Sequence, residues 1–210
     1  MEHGEPQAGA PIDPAIIAAF KTVATAVISD NLQRLPGATN LRPFYAGSPM
    51  AGVALTVNTA PGDNLFIHRA LDLVKPGDVI VVNGGGGETR ALVGEIIAAI
   101  ARQRGAAGII VDGAVRDSNV LMNSDFPVFA RAVNHRGPYK NGPGAINVPV
   151  SIGGMIVAPG DVVVADADGV VAFAPAIASE LLEAVRGQEQ REAEIMASIR
   201  AGRYRGAYAE

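Results

Sequence analysis

The chain has 210 residues, and 49% of them are hydrophobic, which is enough for one sizeable α/β core but short for two. A formal net charge of -4 and a pI near 5.4 provide no basic field for a polyanion, which argues against nucleic-acid binding. The absence of cysteine excludes disulfides and thiolate zinc sites, so any metal must be held by oxygen or histidine. No apolar run is long enough to span a bilayer, and the first residues lack a signal-peptide pattern, so we expect a cytoplasmic protein with no membrane partner.

One domain is expected over residues 1–210, with a flexible polar tail at 1–11. Asp13 and Pro14 then have the pattern of an N-cap and a first helical residue. Val53, Leu55 and Val57 alternate within a predicted strand over 52–58.

A helix is predicted to begin after Asp63 and to end at Pro76 and Gly77. His68 lies inside that helix and has no second histidine at metal-ligand spacing. The pattern therefore favours a packing or hydrogen-bonding role for His68 over metal binding.

The centre of the chain has the pattern of a strand–helix–strand unit. Apolar runs at 79–82 and 108–111 flank a helical pattern that Gly105 ends. The glycine cluster at 84–87 lacks the Lys-Ser/Thr of a phosphate-binding loop, and we interpret it as a flexible turn from strand to helix. In open α/β sheets ligands bind beyond the carboxyl ends of the strands, so the residues after each strand are candidates for a site.

Gly94 stands near the start of that helix, where the absence of a side chain lets a ligand approach the backbone. If regular helix begins there, the free N–H groups that follow form a site for a carboxylate or phosphate. Arg116 could clamp the same anion, and Asp117 could offer a hard oxygen to a cation. Spacing alone is equally compatible with a surface ion pair between Arg116 and Asp117.

In the second half of the chain, the residue pattern predicts strands at 146–152, 161–165 and 169–173, after a turn-rich segment at 134–144. That segment carries His135, Arg136 and Lys140, and it is either a solvated loop or a lid whose cations meet a second carboxylate on a substrate. A terminal helix is predicted over 177–199. It carries Glu192 on a mostly apolar stripe, either at a frayed edge or aimed at the site of a neighbouring subunit.

Several short motifs together resemble the RraA-like family, which includes the class II 4-hydroxy-4-methyl-2-oxoglutarate aldolases. The resemblance extends over about residues 62–170 and implies an α/β fold, a single domain with a layered β/β/α core, flanking helices and a long C-terminal helix. The motifs are Gly94-Glu95-Ile96-Ile97, Asp112-Gly113, Arg116-Asp117, Gly62-Asp63-Asn64, Pro76-Gly77-Asp78, Phe126-Pro127-Val128-Phe129, Asn147-Val148-Pro149-Val150, Pro159-Gly160-Asp161 and Ala165-Asp166-Ala167-Asp168-Gly169-Val170.

The resemblance implies a divalent-metal-dependent pyruvate aldolase, with Mg²⁺ or Mn²⁺ as the cofactor and oxaloacetate decarboxylation as a further activity. Asp117 takes the place of the metal ligand, and Arg116 that of the group that binds substrate oxygens. Glu95 takes the place of an acid that holds a water of the metal shell. Glu192, or less favourably Glu194, matches an acid supplied by another subunit, which implies a homotrimer or homohexamer.

The backbone amides from Gly94 to Ile97, including those of Glu95 and Ile96, would meet the carboxylate of a small 2-oxo acid. A Schiff-base route is disfavoured, because Lys21, Lys75 and Lys140 all lie outside apolar strands where desolvation would lower an amine pKa.

One departure from the family pattern leaves the substrate open. Family aldolases often have a further acid three or four positions after the Arg-Asp pair, where this chain has Val120 and Leu121, and Asp125 is the nearest acid. The family also includes non-catalytic regulators of ribonuclease E, and regulation of that ribonuclease is the alternative function.

Overall fold

The computed structural model describes residues 12–34 and 37–206, so the tail expected at 1–11 lies outside the described residues. Asp13 caps the first helix, since its Oδ1 accepts the N–H of Ala15 at 2.8 Å and Pro14 opens the helix, as predicted. The helices are α1 (Pro14–Phe20), α2 (Thr25–Asn31), α3 (Leu65–Leu71), α4 (Glu95–Gln103), α5 (Ser118–Met122) and α6 (Ala178–Arg200).

An eight-stranded mixed sheet forms the centre of the molecule, and a two-stranded hairpin lies beside it. The main sheet has the order β1-β5-β4-β3-β2-β9-β10, with β6 paired to the far end of β2; the hairpin is β7-β8. The strands are β1 (Arg42–Pro43), β2 (Met50–Thr59), β3 (Asp78–Val93), β4 (Gly108–Val115), β5 (Val128–Val133), β6 (Gly144–Ile146), β7 (Val150–Ile152), β8 (Met155–Val157), β9 (Val162–Ala165) and β10 (Val170–Phe173).

The predicted strand–helix–strand unit is β3-α4-β4. β3 and β4 pair in parallel, with Ile80 opposite Ile109 and Val82 opposite Val111. β2 is parallel to β3, and β5 is parallel to β4, so four neighbouring strands end at the same edge of the sheet. Their β-branched runs are buried on both faces, which is typical of parallel strands.

Alternate residues of the sheet enter different cores. Val79 and Val81 of β3 join an inner cluster with Ile152 of the β7-β8 hairpin, whereas Ile80 and Val82 join a cluster with α3 and α4. A third cluster packs α1, α2 and α6 against β9 and β10. The predicted layered α/β core with flanking helices and a long C-terminal helix is confirmed.

The prediction that 84–87 is a turn between strand and helix is wrong. β3 continues through the glycines to Val93, and its register against β4 shifts between Asn83 and Val93. A Cβ on Gly84 would lie 2.4 Å from Leu92 Cδ1 and 2.8 Å from the carbonyl oxygen of Asp112. The glycines therefore let an irregular strand pack closely against its neighbours.

The single strand predicted at 146–152 is also wrong. Residues up to Ile146 pair with β2 as β6, and pairing resumes in another sheet at Val150 as β7. Asn147 has a φ of 57°, a left-handed conformation that ends the first strand. Among the described residues, no helix has both the length and the apolar character needed to cross a membrane.

Candidate active site

The carboxyl ends of β3 and β4 form a corner with the start of α4. Gly94 and Glu95 follow β3 directly, and Arg116 and Asp117 follow β4 directly. The backbone N–H of Arg116 donates to the carbonyl oxygen of Val93 at 2.9 Å, which fixes the two strand ends to each other. Parallel pairing therefore brings these four sequence-predicted residues into one place.

Asp117 is the centre of this corner. Its φ of 56° is in the left-handed region, which a residue other than glycine seldom adopts and which is common near functional sites. Oδ2 of Asp117 accepts the N–H of Glu95 at 3.1 Å and lies 3.7 Å from Nε of Arg116. The side chain is still 40% exposed, so the carboxylate remains open to a ligand.

Gly94 allows Asp117 to come this close. A Cβ at residue 94 would lie 2.5 Å from Oδ2 of Asp117 and 2.9 Å from Cγ of Arg116, both too short for real contacts. The φ of Gly94 is -148°, an extended conformation that any residue adopts, so the requirement for glycine is purely steric.

The start of α4 points its first N–H groups into the same corner. Gly94 is the N-cap, so the N–H groups of Glu95, Ile96 and Ile97 have no acceptor within the helix. Glu95 donates to Asp117, and the next two amides are left for an anion, which the helix dipole also favours.

A cleft of about 150 Å³ opens beside the corner. Gly94, Ile96, Ile97, Arg116 and Asp117 line it on one side. Asn64, His68, Pro138 and Lys140 line it on the other. A second, more open hollow on the far side of Asp117 is lined by Glu95, Ser118 and His135 among others.

Two residues of α3 and its cap are functional candidates that sequence reasoning did not select. Nδ2 of Asn64 donates to the carbonyl oxygen of Leu92 at 3.0 Å, which leaves Oδ1 buried without a partner in the described structure. An unpaired buried acceptor is costly, so it marks a place where a ligand or water would donate. Burial, and then the charge of Lys140, lower the pKa of His68 in the same cleft. The motif Gly62-Asp63-Asn64 was the available signal.

A buried ion pair supports β4 from the inner face of the sheet. Asp112 accepts a hydrogen bond from Nε of Arg131, and its Oδ2 accepts the N–H of Gly153 at 2.9 Å. The hydrogen bond to Asp112 raises the pKa of Arg131 despite its burial. The pair ties β4, β5 and the hairpin together.

Glu192 does not reach the corner of its own chain. It lies in the exposed second half of α6, where Oε1 accepts a hydrogen bond from Gln188 at 2.8 Å. α6 packs on α1 and α2, in a core cluster separate from the one that contains α4. Asp125 lines neither the cleft nor the adjoining hollow, and it forms an ion pair with Arg102 at 2.8 Å.

The donor set of the corner fits a hard divalent cation that keeps several waters. Within residues 12–34 and 37–206, no three His, Asp or Glu side chains are grouped closely enough to enclose a metal. Asp117 instead offers one open carboxylate in a cradle that a Cβ at residue 94 would fill. Mg²⁺ usually keeps several waters and needs only one or two carboxylates, so the residues present fit such an ion.

The curled mixed sheet with its long C-terminal helix defines a protein of the RraA fold. The chain has a TM-score of 0.84 to an uncharacterized protein from Pseudomonas syringae pv. tomato, at 28% identity, with coverage of 96% of this chain and 95% of the other. It has a TM-score of 0.65 to the RNA-processing inhibitor RraA from Thermus thermophilis, at 31% identity, with coverage of 71% and 92%.

The family follows from the sequence match. A family model described as "Aldolase/RraA" matches residues 25–172, and the chain belongs to this RraA-like family. A relative from Halalkalibacterium halodurans is 40% identical over 146 residues, which are 69% of this chain and 70% of the relative. That relative is provisionally named 4-hydroxy-4-methyl-2-oxoglutarate aldolase. The resemblance drawn from the sequence motifs is confirmed.

Proposed function

We propose that this protein is a divalent-metal-dependent aldolase that cleaves a 4-hydroxy-2-oxo acid to pyruvate and a second carbonyl compound. The observation that carries the proposal is the approach of Gly94 to Asp117, which joins a helix N-terminus, a guanidinium and an open carboxylate in one corner. The relative's provisional aldolase name supports the same chemistry.

In the bound state, the backbone N–H groups of Ile96 and Ile97 donate to the substrate carboxylate, and Arg116 donates to the keto oxygen. Breaking the C3–C4 bond moves its electron pair onto the pyruvate portion as an enolate, while the C4 hydroxyl loses its proton and becomes a carbonyl. Arg116 then stabilises the negative charge that grows on the former keto oxygen. Protonation at C3 releases pyruvate.

Asp117 would hold the metal ion, for which Mg²⁺ or Mn²⁺ is proposed. When bound, the ion supplies Lewis-acid polarisation of the keto group. Glu95 lines the adjoining hollow, and its proposed role is to hold a water that takes the proton of the C4 hydroxyl. Oxaloacetate decarboxylation is expected too, because loss of CO₂ from C3 leaves the same enolate.

We also propose a homotrimer or homohexamer. Ile195 and Ile199 on α6 are exposed, as are Ile96 and Val120 at the rim of the corner, so each protomer has two apolar surfaces to cover. Docking the end of α6 on a neighbour's rim would bring Glu192 to that neighbour's site. Light scattering that shows only monomers would contradict this arrangement.

The test is the release of pyruvate from oxaloacetate and from 4-hydroxy-2-oxo acids, with Mg²⁺ or Mn²⁺ added after removal of bound metal. We expect Asp117→Ala to abolish the metal-dependent activity. Asp125→Ala is the matched control, because that aspartate lies outside the cleft. Undiminished activity in Asp117→Ala would reject the assignment.

Regulation of a ribonuclease is the second candidate, because the chain is 31% identical to the RNA-processing inhibitor from Thermus thermophilis. Tight binding to a ribonuclease without metal binding or pyruvate release would favour it.

A further inference from the structure

The segment 134–144 closes one side of the cleft. Pro138 and Lys140 line the cleft directly. Gly137 touches the site as well, since a Cβ there would lie 3.2 Å from Nη1 of Arg116. The position of Lys140 in the cleft therefore depends on how this segment is held.

Arg90 of β3 holds this segment through three contacts. Its Nη1 donates to the carbonyl oxygen of Gly137 at 2.8 Å, and its Nη2 donates to the hydroxyl of Tyr139 at 2.7 Å. The guanidinium carbon also lies 4.0 Å from the centroid of the Tyr139 ring, within the range of a cation–π contact. A Cβ on Gly62 would lie 3.1 Å from Cδ of Arg90, so Gly62 packs tightly beneath its side chain.

The rest of the segment is tied to the N-terminal end of α3. The N–H of Tyr139 donates to the carbonyl oxygen of Gly62 at 2.8 Å. The buried carboxylate of Asp63 accepts the N–H groups of Asn141 at 2.5 Å and Gly142 at 3.0 Å. With these bonds in place, the segment forms one wall of the cleft.

The cleft has a cation on each side. Arg116 lies on the side of the corner, and Lys140 lies on the wall. Burial lowers the pKa of His68, and the charge of the nearby Lys140 lowers it further. A bound 2-oxo diacid with its first carboxylate on the α4 amides would hold its second carboxylate in the same cleft, which Lys140 lines. A second carboxylate there would meet Lys140.

We propose that Arg90 is a positioning residue that, by fixing residues 137–139, sets Lys140 where it binds the second carboxylate of a 2-oxo diacid. The inference rests on the proposed function and names a positioning residue for the same site. Arg90 touches the wall and not the substrate. Its loss should therefore affect the selection of diacids and not the binding of the pyruvate portion.

The test compares the affinities of the full-length protein for pyruvate and for 2-oxoglutarate, measured by calorimetry at saturating Mg²⁺. 2-Oxoglutarate has the second carboxylate but no C4 hydroxyl, so it is not cleaved. We expect the native protein to bind it about tenfold more tightly than pyruvate, the factor that corresponds to about 1.4 kcal/mol. Lys140→Ala and Arg90→Gln should each remove that preference and leave the affinity for pyruvate unchanged.

Two further variants separate positioning from general damage. Arg90→Lys keeps the positive charge but lacks the planar guanidinium that donates to both Gly137 and Tyr139. It should therefore retain only part of the preference for 2-oxoglutarate over pyruvate. Arg42→Gln is the matched control, because it removes an arginine that lies 5.0 Å from the ring centroid of Phe44 beside β1, and it should retain the full preference. Amide exchange over 137–142 should become faster in Arg90→Gln and not in Arg42→Gln.

The double variant of Arg90→Gln with Lys140→Ala should be no less selective than Lys140→Ala alone, because Arg90 acts through Lys140. If Arg90→Gln keeps the preference, or weakens both ligands equally, this inference is overturned. Equal binding of pyruvate and 2-oxoglutarate by the native protein overturns it too. Failure of the native protein to bind pyruvate at all, with Mg²⁺ present, would instead reject the proposed function.

Discussion

Replacing Gly94 by alanine tests the proposed site with a single methyl group. The new Cβ would lie 2.5 Å from Oδ2 of Asp117, and ordinary contacts begin at 3.4 Å, so the carboxylate must move by 3.4 − 2.5 = 0.9 Å. The backbone of residue 94 is extended and accepts alanine without strain. The substitution therefore shifts the proposed metal ligand and leaves the fold in place.

A displacement of about 1 Å in a reacting geometry can lower a rate by about 100-fold. We expect Gly94→Ala to lower kcat/KM for pyruvate release by about that factor and to weaken the binding of Mn²⁺, measured by electron paramagnetic resonance. Circular dichroism should show an unchanged fold.

Gly87→Ala is the matched control. A Cβ there would meet only ordinary contacts, the nearest at 3.4 Å from the carbonyl oxygen of Gly84. It should keep both activity and Mn²⁺ binding. Native activity in Gly94→Ala would show that the chemistry does not occur in this corner.

Three other perturbations have defined outcomes. Asp63→Asn should lower the free energy of unfolding by about 1–2 kcal/mol, because the buried carboxylate accepts several backbone N–H groups. Burial alone would raise the pKa of Asp63, but those bonds outweigh it and hold the pKa below its ordinary value. The contribution of Asp63 to the free energy of unfolding is thus complete above the unfolded pKa of about 3.9 and disappears as the pH falls through the lower folded pKa. The urea unfolding curves of the variant and the native protein should therefore converge in acid. Asp112→Ala should cost about 3–5 kcal/mol in urea unfolding, because it leaves the guanidinium of Arg131 without its buried partner; a loss below about 1 kcal/mol would contradict that role. Borohydride added with pyruvate should form no adduct on Lys140, whereas a chelator should stop the reaction; a trapped adduct in the mass spectrum would support a Schiff base instead.

Local patterns predicted the part of the fold that local forces determine. The runs at 79–82 and 108–111 are apolar and β-branched, and the helix between them has a clear period and a glycine stop at Gly105 with a φ of 87°. The corner followed from this unit, because residues placed directly after two adjacent parallel strands must lie side by side.

The errors arose where tertiary contacts overrode a local signal. A glycine cluster usually indicates a turn, but Gly87 pairs with Gly113 of β4, and the small residues let the irregular strand continue. Asn64 and His68 could not be assigned to the cleft, because the start of α3 reaches it through the parallel pairing of β2 with β3, which the sequence does not show. The same limit applies to Glu192, whose proposed role depends on a second copy of the chain.

The fold alone does not separate an aldolase from a regulator of ribonuclease, since the chain is similar to proteins with either name. The two functions place different demands on the chain. A regulator requires a complementary outer surface, and it gains nothing from forcing Asp117 into a left-handed conformation against a glycine. Such a conformation costs about 1–3 kcal/mol and persists only where the surrounding structure holds it, as the bond from Glu95 does here. An open carboxylate held in this way, beside Arg116 and unpaired helix amides, is best accounted for by a ligand that needs all three groups, and a 2-oxo acid with a divalent cation is such a ligand.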